Sequence, residues 1–109
     1  MGGSQGETEC SVSLFVVDVL PDAEAEIREA FLWYFERSAI AADAFRTEAL
    51  EGIDRLHTDA LMWPEDEDQV RRYILRHFPY AVFYEIDGRT VTVLAVAHQR
   101  RKPCYWRER

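Results

Sequence analysis

The sequence predicts an α+β domain, a two-helix hairpin packed on a largely antiparallel four-stranded sheet, in the order β-α-α-β-β-β. Two observations carry this prediction. Two stretches with helical periodicity stand side by side in the first half, joined by a short connection. Strand-like runs separated by tight turns fill the second half. A chain of 109 residues with 48% hydrophobic residues is expected to form one domain around one core.

The N-terminal part predicts an arm, a strand and then a helix. Residues 1–10 are small and polar, which is typical of a disordered arm or an expression remnant, and residues 11–109 form the expected domain. The apolar run from Val12 to Leu20 predicts a strand that is buried on both faces over part of its length. Pro21 predicts a helix start, because proline lacks an N–H that has no partner there anyway. This helix is expected to end near Arg37 or Ser38.

A second helix is predicted from about Ala42 to His57. Gly52 within it costs about 1 kcal/mol relative to alanine, so we expect a close approach to the other helix or to the sheet. The following loop, Thr58 to Gln69, contains the acidic run Glu65 to Asp68, which lacks the spacing of a calcium loop. The two helices carry similar apolar stripes, Ala23, Ile27, Ala30, Phe31 and Tyr34 in the first and Phe45, Ala49, Gly52, Ile53 and Leu56 in the second.

The clearest local signal is the pair Asp87-Gly88 between two alternating runs, which predicts a hairpin with these two residues as its loop. In that register Tyr84 faces Val91 and Tyr80 faces Ala95. Strand side chains alternate with period two. The predicted helix-facing side therefore carries Tyr80, Val82, Tyr84, Ile86, Val91, Val93, Ala95 and Ala97. The predicted open side carries Ala81, Phe83, Glu85, Thr90, Thr92, Leu94, Val96 and His98.

The charge is strongly divided along the chain. Residues 1–69 hold 17 acidic and 4 basic side chains, a balance of −13, whereas residues 70–109 hold 3 acidic and 9 basic ones, a balance of +6. The net charge of −7 therefore hides a basic half, whose local field governs the approach of an anionic partner. Two solvated faces that differ in sign are the alternative explanation.

Several classes of protein are disfavoured by composition. No apolar run approaches the roughly 20 residues that cross a bilayer, and no signal-peptide pattern opens the chain, so a cytoplasmic location without membrane contact is expected. Cys10 and Cys104 do not make a disulfide framework and are expected to be reduced thiols. No Cys/His cluster has metal-ligand spacing, so neither a metal nor a cofactor is expected.

Basic and aromatic side chains gather in the C-terminal part. Arginine forks and planar rings bind phosphates and stack on bases, and they also anchor protein interfaces. These residues therefore permit an RNA-cleaving site, an anchor for a protein partner, or a solvated basic rim with the terminal aromatics folded onto the core. Spacing alone ranks the partner anchor and the solvated rim equally and places the catalytic site behind both. The residues concerned are Arg71, Arg72, Arg76 and His77 on the predicted second strand, and His98, Arg100, Arg101, Lys102, Tyr105 and Trp106 following the last predicted strand.

The segment RRYILRHFPYAVFYEIDGRTVTVLAVAHQRRKPCYW resembles the RelE/ParE superfamily of type II toxins. Its FPY lead into an alternating strand, its LAVAHQRR run and its P-x-Y-W tail are similar to the ParE-like plasmid-stabilisation branch. The helical segments LPDAEAEIREAFLWYFE and AFRTEALEGIDRL agree, and the resemblance spans Leu14 to Trp106. It implies a toxin that a cognate antitoxin holds inactive, with a hetero-oligomer of the two as one implied state.

The two branches of the superfamily differ in their target. The resemblance implies either cleavage of mRNA on the ribosome, as in RelE-like members, or inhibition of DNA gyrase by protein contact, as in ParE-like members. Ala81 stands where RelE-like members carry an arginine, and Ile74 stands where they carry a lysine. These departures favour the ParE-like branch, for which no catalytic residue is expected. An endonuclease would instead use Arg72, His98, Arg100 and Tyr105.

The alternatives to a ParE-like gyrase inhibitor are a RelE-like endonuclease and a non-toxic relative that only binds its antitoxin. The ParE-like interpretation also predicts two sets of contact residues. Target contact is expected at Arg100, Arg101, Tyr105 and Trp106. Antitoxin contact is expected at Trp33, Phe83, Leu94 and Val96.

Overall fold

Two helices and a four-stranded, mostly antiparallel sheet are present, as the sequence predicts. The computed structural model describes residues 14–66 and 69–99. Within these ranges, no helix is long and apolar enough to cross a membrane. The elements in chain order are β1 (Val16–Val19), α1 (Pro21–Phe35), α2 (Ala39–Asp59), a 3₁₀ turn (Ala60–Met62), β2 (Arg71–Ile74), β3 (Tyr80–Asp87) and β4 (Thr90–His98).

The strand order in the sheet is β1-β4-β3-β2. β1 runs parallel to β4, and the other two pairs are antiparallel. Val17 and Val19 pack against the core, whereas Val16 is 64% exposed on the side that the helices leave open. The prediction that this strand is buried on both faces over part of its length is therefore wrong for Val16–Val19, because the helices cover only one face at this edge of the sheet. Residues 12 and 13 lie outside the described residues.

Both helices begin where local chemistry favours it. Pro21 opens α1 as predicted, followed by acidic residues that suit the positive end of the helix dipole. Ser38 caps α2, since its hydroxyl accepts a hydrogen bond of 3.2 Å from the N–H of Ala41. This cap sets the start of α2 at Ala39, before the predicted Ala42, and the helix continues to Asp59.

The core lies between the helical hairpin and one face of the sheet. The rings of Tyr34 and Phe45 contact each other there, and each also contacts Phe78 and Tyr80, with centroids 5.1 to 6.2 Å apart. Tyr84 is fully buried, and its hydroxyl donates a hydrogen bond of 2.7 Å to the carbonyl of Ala60. Burial raises the pKa of Tyr84 to about 12, so this hydroxyl remains a donor at neutral pH.

The β3–β4 hairpin turns later than predicted. Asp87 pairs with Thr90, so Gly88 and Arg89 form the loop in place of Asp87-Gly88. Gly88 has a φ of 63°, and it is the loop residue that adopts a positive φ. The predicted register depends on a turn with positive φ at both central residues, and Asp87 does not adopt that conformation.

A second register change follows in β4. Tyr84 pairs with Val93, but the preceding Phe83 pairs with Ala95, so β4 contains one extra residue, Leu94. This is a β-bulge, and it reverses the alternation of the side chains beyond it. The predicted faces are therefore wrong for the end of the strand. Val96 and His98 lie on the helix-facing side, and Ala95 and Ala97 lie on the outer side.

Gly52 allows the sheet to approach α2 closely, as the sequence suggested. A methyl group at this position would lie 2.5 Å from Cε1 and 3.0 Å from Cδ1 of Tyr73 on β2. Tyr73 is 6% exposed and its ring packs edge-on against Trp63, with centroids 4.8 Å apart. The absence of a side chain at Gly52 is what allows this aromatic ring to lie against the helix.

We expect Gly52→Ala to lower the free energy of unfolding by about 1–3 kcal/mol, because the clash with Tyr73 outweighs the gain in helix propensity. Urea denaturation measures the difference. Thr47→Ala, on the exposed face of α2, is the control for helix propensity. A Gly52→Ala protein at least as stable as the parent would contradict the close contact.

Candidate partner-binding surfaces

The residues expected to contact the target, Arg100, Arg101, Tyr105 and Trp106, lie outside the described residues. The described chain ends at Gln99, whose backbone N–H donates a hydrogen bond of 2.9 Å to the carbonyl of Pro79. Gln99 therefore lies beside the turn between β2 and β3.

Arg72 and His98 lie on opposite sides of the sheet. Arg72 pairs with Phe83 on the outer side, and its guanidinium carbon is 5.7 Å from the centre of the Phe83 ring. His98 pairs with Tyr80 on the helix-facing side, with ring centroids 6.1 Å apart. A shared endonuclease site for Arg72 and His98 is therefore not supported, since catalytic groups must act on one phosphate. Arg100 and Tyr105, the other residues of that hypothesis, lie outside the described residues.

The expectation that Phe83, Leu94 and Val96 form an exposed apolar face is wrong. Val96 is 2% exposed and belongs to the core beneath the helices, because the bulge in β4 turns it inward. Phe83 and Leu94 are on the outer side as predicted, but they are 4% and 9% exposed. They belong to a second buried cluster with Val70, Ala81, Ala95 and Ala97.

Trp33 is the expected antitoxin-contact residue that is accessible, with 49% of its surface exposed. The guanidinium carbon of Arg37 lies 3.7 Å from the centre of its indole ring, an arrangement typical of a cation–π contact. Trp33 lines a groove between α1 and the end of β4, together with Glu26, Glu29 and His98.

Glu26 also contacts the edge of the sheet in this groove. β1 ends at Val19, opposite Val93, whereas β4 continues to His98. The Oε1 atom of Glu26 accepts a hydrogen bond of 3.0 Å from the backbone N–H of Val96. The carboxylate thus takes the position that a carbonyl of a neighbouring strand would otherwise occupy, which is one way that proteins protect a sheet edge.

A second groove of about 410 Å³ runs between α1 and α2 on the side away from the sheet. Ile27, Phe31 and Leu50 line it, and Leu50 is 44% exposed. Charged side chains of both signs surround these apolar ones, namely Glu24, Arg28, Asp43 and Arg46. Further large apolar side chains are exposed on the same hairpin, namely Leu32, Phe35 and Ile40.

Glu48 on α2 holds the turn between β2 and β3. Its Oε2 accepts the backbone N–H groups of Arg76 and His77, and its Oε1 lies 3.0 Å from Nδ1 of His77. The Glu48 side chain is 14% exposed. Burial acts to raise the pKa of this carboxyl, but the hydrogen bonds and the charge of His77 outweigh it and lower the pKa below its ordinary value.

Sequence reasoning missed Glu48 and the groove between the helices. It also assigned Arg76 and His77 to a strand, whereas β2 ends at Ile74 and both residues belong to the turn. No local pattern connects Glu48 with a turn 28 residues away. Within the described ranges, no group of three His, Cys, Asp or Glu side chains is arranged to hold a metal ion.

We expect Glu48→Gln to lower the free energy of unfolding at pH 7 by about 1–2 kcal/mol, because the amide replaces a charged acceptor of several hydrogen bonds. The folded-state pKa of Glu48 is lowered, so its stabilising contribution is present above the unfolded-state pKa and is lost as the pH falls through the folded-state pKa. Denaturation of both proteins from pH 7 down to about pH 3 should show their difference shrinking below roughly pH 4. Glu51→Gln, exposed on the same helix, is the control. A difference that does not change with pH would contradict the electrostatic origin.

Comparison with solved structures finds a protein of similar fold. Among solved structures, the chain is similar to "Chromosomal ParDE TA system from P. aeruginosa", with a TM-score of 0.70 and 16% identity over 78% of this chain and 96% of that one. A search of curated proteins finds no match. The family model described as the ParE toxin of the type II toxin–antitoxin system, parDE, matches residues 17–103. Because that match spans most of this chain, the chain belongs to the ParE toxin family of type II toxin–antitoxin systems.

Proposed function

We propose that this ParE-like toxin acts in the cytoplasm and inhibits DNA gyrase through protein–protein contact. The observation that carries the proposal is the position of Arg72 and His98 on opposite sides of the sheet. Arg72 and His98 thus do not converge as an RNA-cleaving site that used both would require, whereas a contact mechanism needs only an accessible surface. The same sheet carries Ala81 and Ile74 where an endonuclease of the superfamily would carry cations.

The proposed target contact is the basic and aromatic sequence that follows Gln99. Arg100, Arg101, Tyr105 and Trp106 are of the residue types that dominate interface energetics. The helical layer is acidic, so the positive field of the chain belongs to its C-terminal part. An anionic protein surface would therefore meet the C-terminal part rather than the helices.

We expect Arg100→Ala combined with Arg101→Ala to raise the toxin concentration that half-inhibits gyrase supercoiling by about tenfold or more, because two charged anchors are lost. The control is Arg55→Ala combined with Arg89→Ala, which removes the same charge elsewhere. Binding to the antitoxin should be unchanged in both variants. Full inhibition by a folded Arg100/Arg101 variant would contradict this assignment.

A timed pulse-label of DNA and protein synthesis in bacteria tests which target the toxin inhibits. Induction of the unaltered toxin should stop DNA synthesis before protein synthesis. Protein synthesis failing first would replace gyrase with the ribosome and mRNA. Continued growth would instead indicate a non-toxic relative that only binds its antitoxin.

The antitoxin is proposed to neutralise the toxin by laying an amphipathic helix into the groove between α1 and α2, forming a hetero-oligomer. Apolar side chains line this groove and charges of both signs surround them, which is the arrangement of helix-in-groove recognition. Trp33 extends the accessible apolar surface on the neighbouring side of α1. Phe83, Leu94 and Val96 are not part of this proposal, because they are buried.

We expect Leu50→Glu to weaken antitoxin binding by about tenfold or more, because it places a charge on the apolar floor of the groove. The variant should remain toxic and escape neutralisation when both proteins are produced together. Leu61→Glu is the matched control, since Leu61 is 64% exposed outside this groove. Calorimetry with the purified antitoxin measures the affinity. Equal affinity of the Leu50→Glu and Leu61→Glu variants would place the antitoxin elsewhere.

A further inference from the structure

The turn between β2 and β3, residues 75–79, is anchored on its inner side. Leu75 is 3% exposed, and its N–H donates a hydrogen bond of 2.9 Å to the carbonyl of Tyr80. The Phe78 ring packs edge-on against Tyr34 and Phe45, with centroids 5.1 and 5.5 Å away. The residues between these anchors, Arg76 and His77, are exposed.

The backbone of the exposed part is fixed separately by Glu48. This carboxylate reaches across from α2 and accepts the N–H groups of both Arg76 and His77, and it also contacts the His77 ring. The His77 side chain is 78% exposed, whereas that of Glu48 is 14% exposed. A mostly buried carboxylate thus orders a segment whose side chains face solvent.

Arg76 combines a guanidinium without an ion pair, which Arg28, Arg46, Arg72 and Arg89 also have among the described residues, with a backbone that a carboxylate from another element holds. Arg37, Arg55 and Arg71 each lie within 4.0 Å of a carboxylate oxygen, on Glu36, Asp59 and Glu65 respectively. No described residue forms an ion pair with the Arg76 guanidinium, although the backbone that carries it is held by Glu48. A guanidinium on an ordered backbone loses less conformational entropy when it binds, and its planar fork matches a carboxylate.

The turn also adjoins the end of β4. Tyr80, directly after the turn, pairs with His98, and Gln99 donates its N–H to Pro79 within the turn. Arg100 and Arg101 follow next in the chain. The topology therefore places the turn beside His98 and Gln99, the last described residues before Arg100.

We propose that the Arg76–His77 turn is a second contact surface for the toxin's target, that Arg76 pairs there with a carboxylate on an acidic protein surface, and that Glu48 is the positioning residue that presents it. This inference rests on the proposed function in one respect, namely that the toxin acts by protein contact. It adds to the proposed target-contact residues a described turn that precedes Arg100 by 24 residues in the sequence.

The test compares Arg76→Ala, Arg76→Lys and Glu48→Gln with Arg89→Ala. Arg89 is an exposed arginine in the loop between β3 and β4, at the other end of β3, and its Nε donates a hydrogen bond to the carbonyl of Leu14. Each purified variant is titrated into a gyrase supercoiling reaction at pH 7. Urea denaturation and antitoxin binding confirm that each variant is folded.

We expect Arg76→Ala to raise the half-inhibiting concentration by about tenfold, the loss typical of a charged contact at an interface, and Arg76→Lys to recover part of it. Arg89→Ala should match the unaltered toxin. The half-inhibiting concentration of Glu48→Gln should fall between those of Arg76→Ala and Arg89→Ala. The weaker inhibition by Glu48→Gln should persist when the assay is run well below the melting temperature of this variant. That result would distinguish a loss of Arg76 positioning from a loss of folded protein.

Inhibition by Arg76→Ala within about twofold of Arg89→Ala would overturn the inference. Failure of the unaltered toxin to inhibit gyrase would overturn the proposed target instead. In that case the same variants are compared by the time to growth arrest after induction, where equal times for Arg76→Ala and Arg89→Ala would again overturn the inference. Loss of mRNA cleavage by Arg76→Ala would replace the acidic protein surface with a phosphate.

Discussion

Pairing of β3 with β4 forms the centre of the sheet, and the other elements take their positions from it. The outer strands add to its two edges, and the helical hairpin buries the side that carries Val82, Tyr84, Val91 and Val93. Burial of these side chains is the main favourable term in the fold. The extra residue Leu94 then reverses the alternation of side chains along β4. Val93 and Val96 therefore lie in the core beneath the helices, whereas Leu94, Ala95 and Ala97 lie in the cluster on the outer side.

This arrangement separates the surfaces that are available to partners. The groove between α1 and α2 faces away from the sheet, and the charged side chains around it suit a partner of mixed charge. The turn held by Glu48 lies beside the end of β4. A toxin that must be recognised by both an antitoxin and a target can use such separate surfaces, and the uneven charge of the sequence is consistent with different partners for each.

Prediction succeeded where local chemistry decides the outcome and failed where a choice depends on distant residues. The proline at α1 and the stripes of both helices were sufficient to place the hairpin. The bulge could not be seen, because every residue from Val93 to Ala97 is apolar and either register buries apolar side chains. Glu48 carries no signal in the sequence, since a glutamate on an amphipathic helix is ordinarily a solvated residue.

The sequence by itself determined the fold class, the order of the elements and the membership of the ParE toxin family, which the family comparison confirms. Periodicity and turn chemistry act over a few residues, so they can be read along the chain. The tertiary structure decided the parallel pairing of β1 with β4, the inward position of Val96 and the ordering of Arg76 by Glu48. Each of these depends on which surfaces meet in space, and hydrogen bonds between residues far apart in the chain leave no periodic pattern in the sequence.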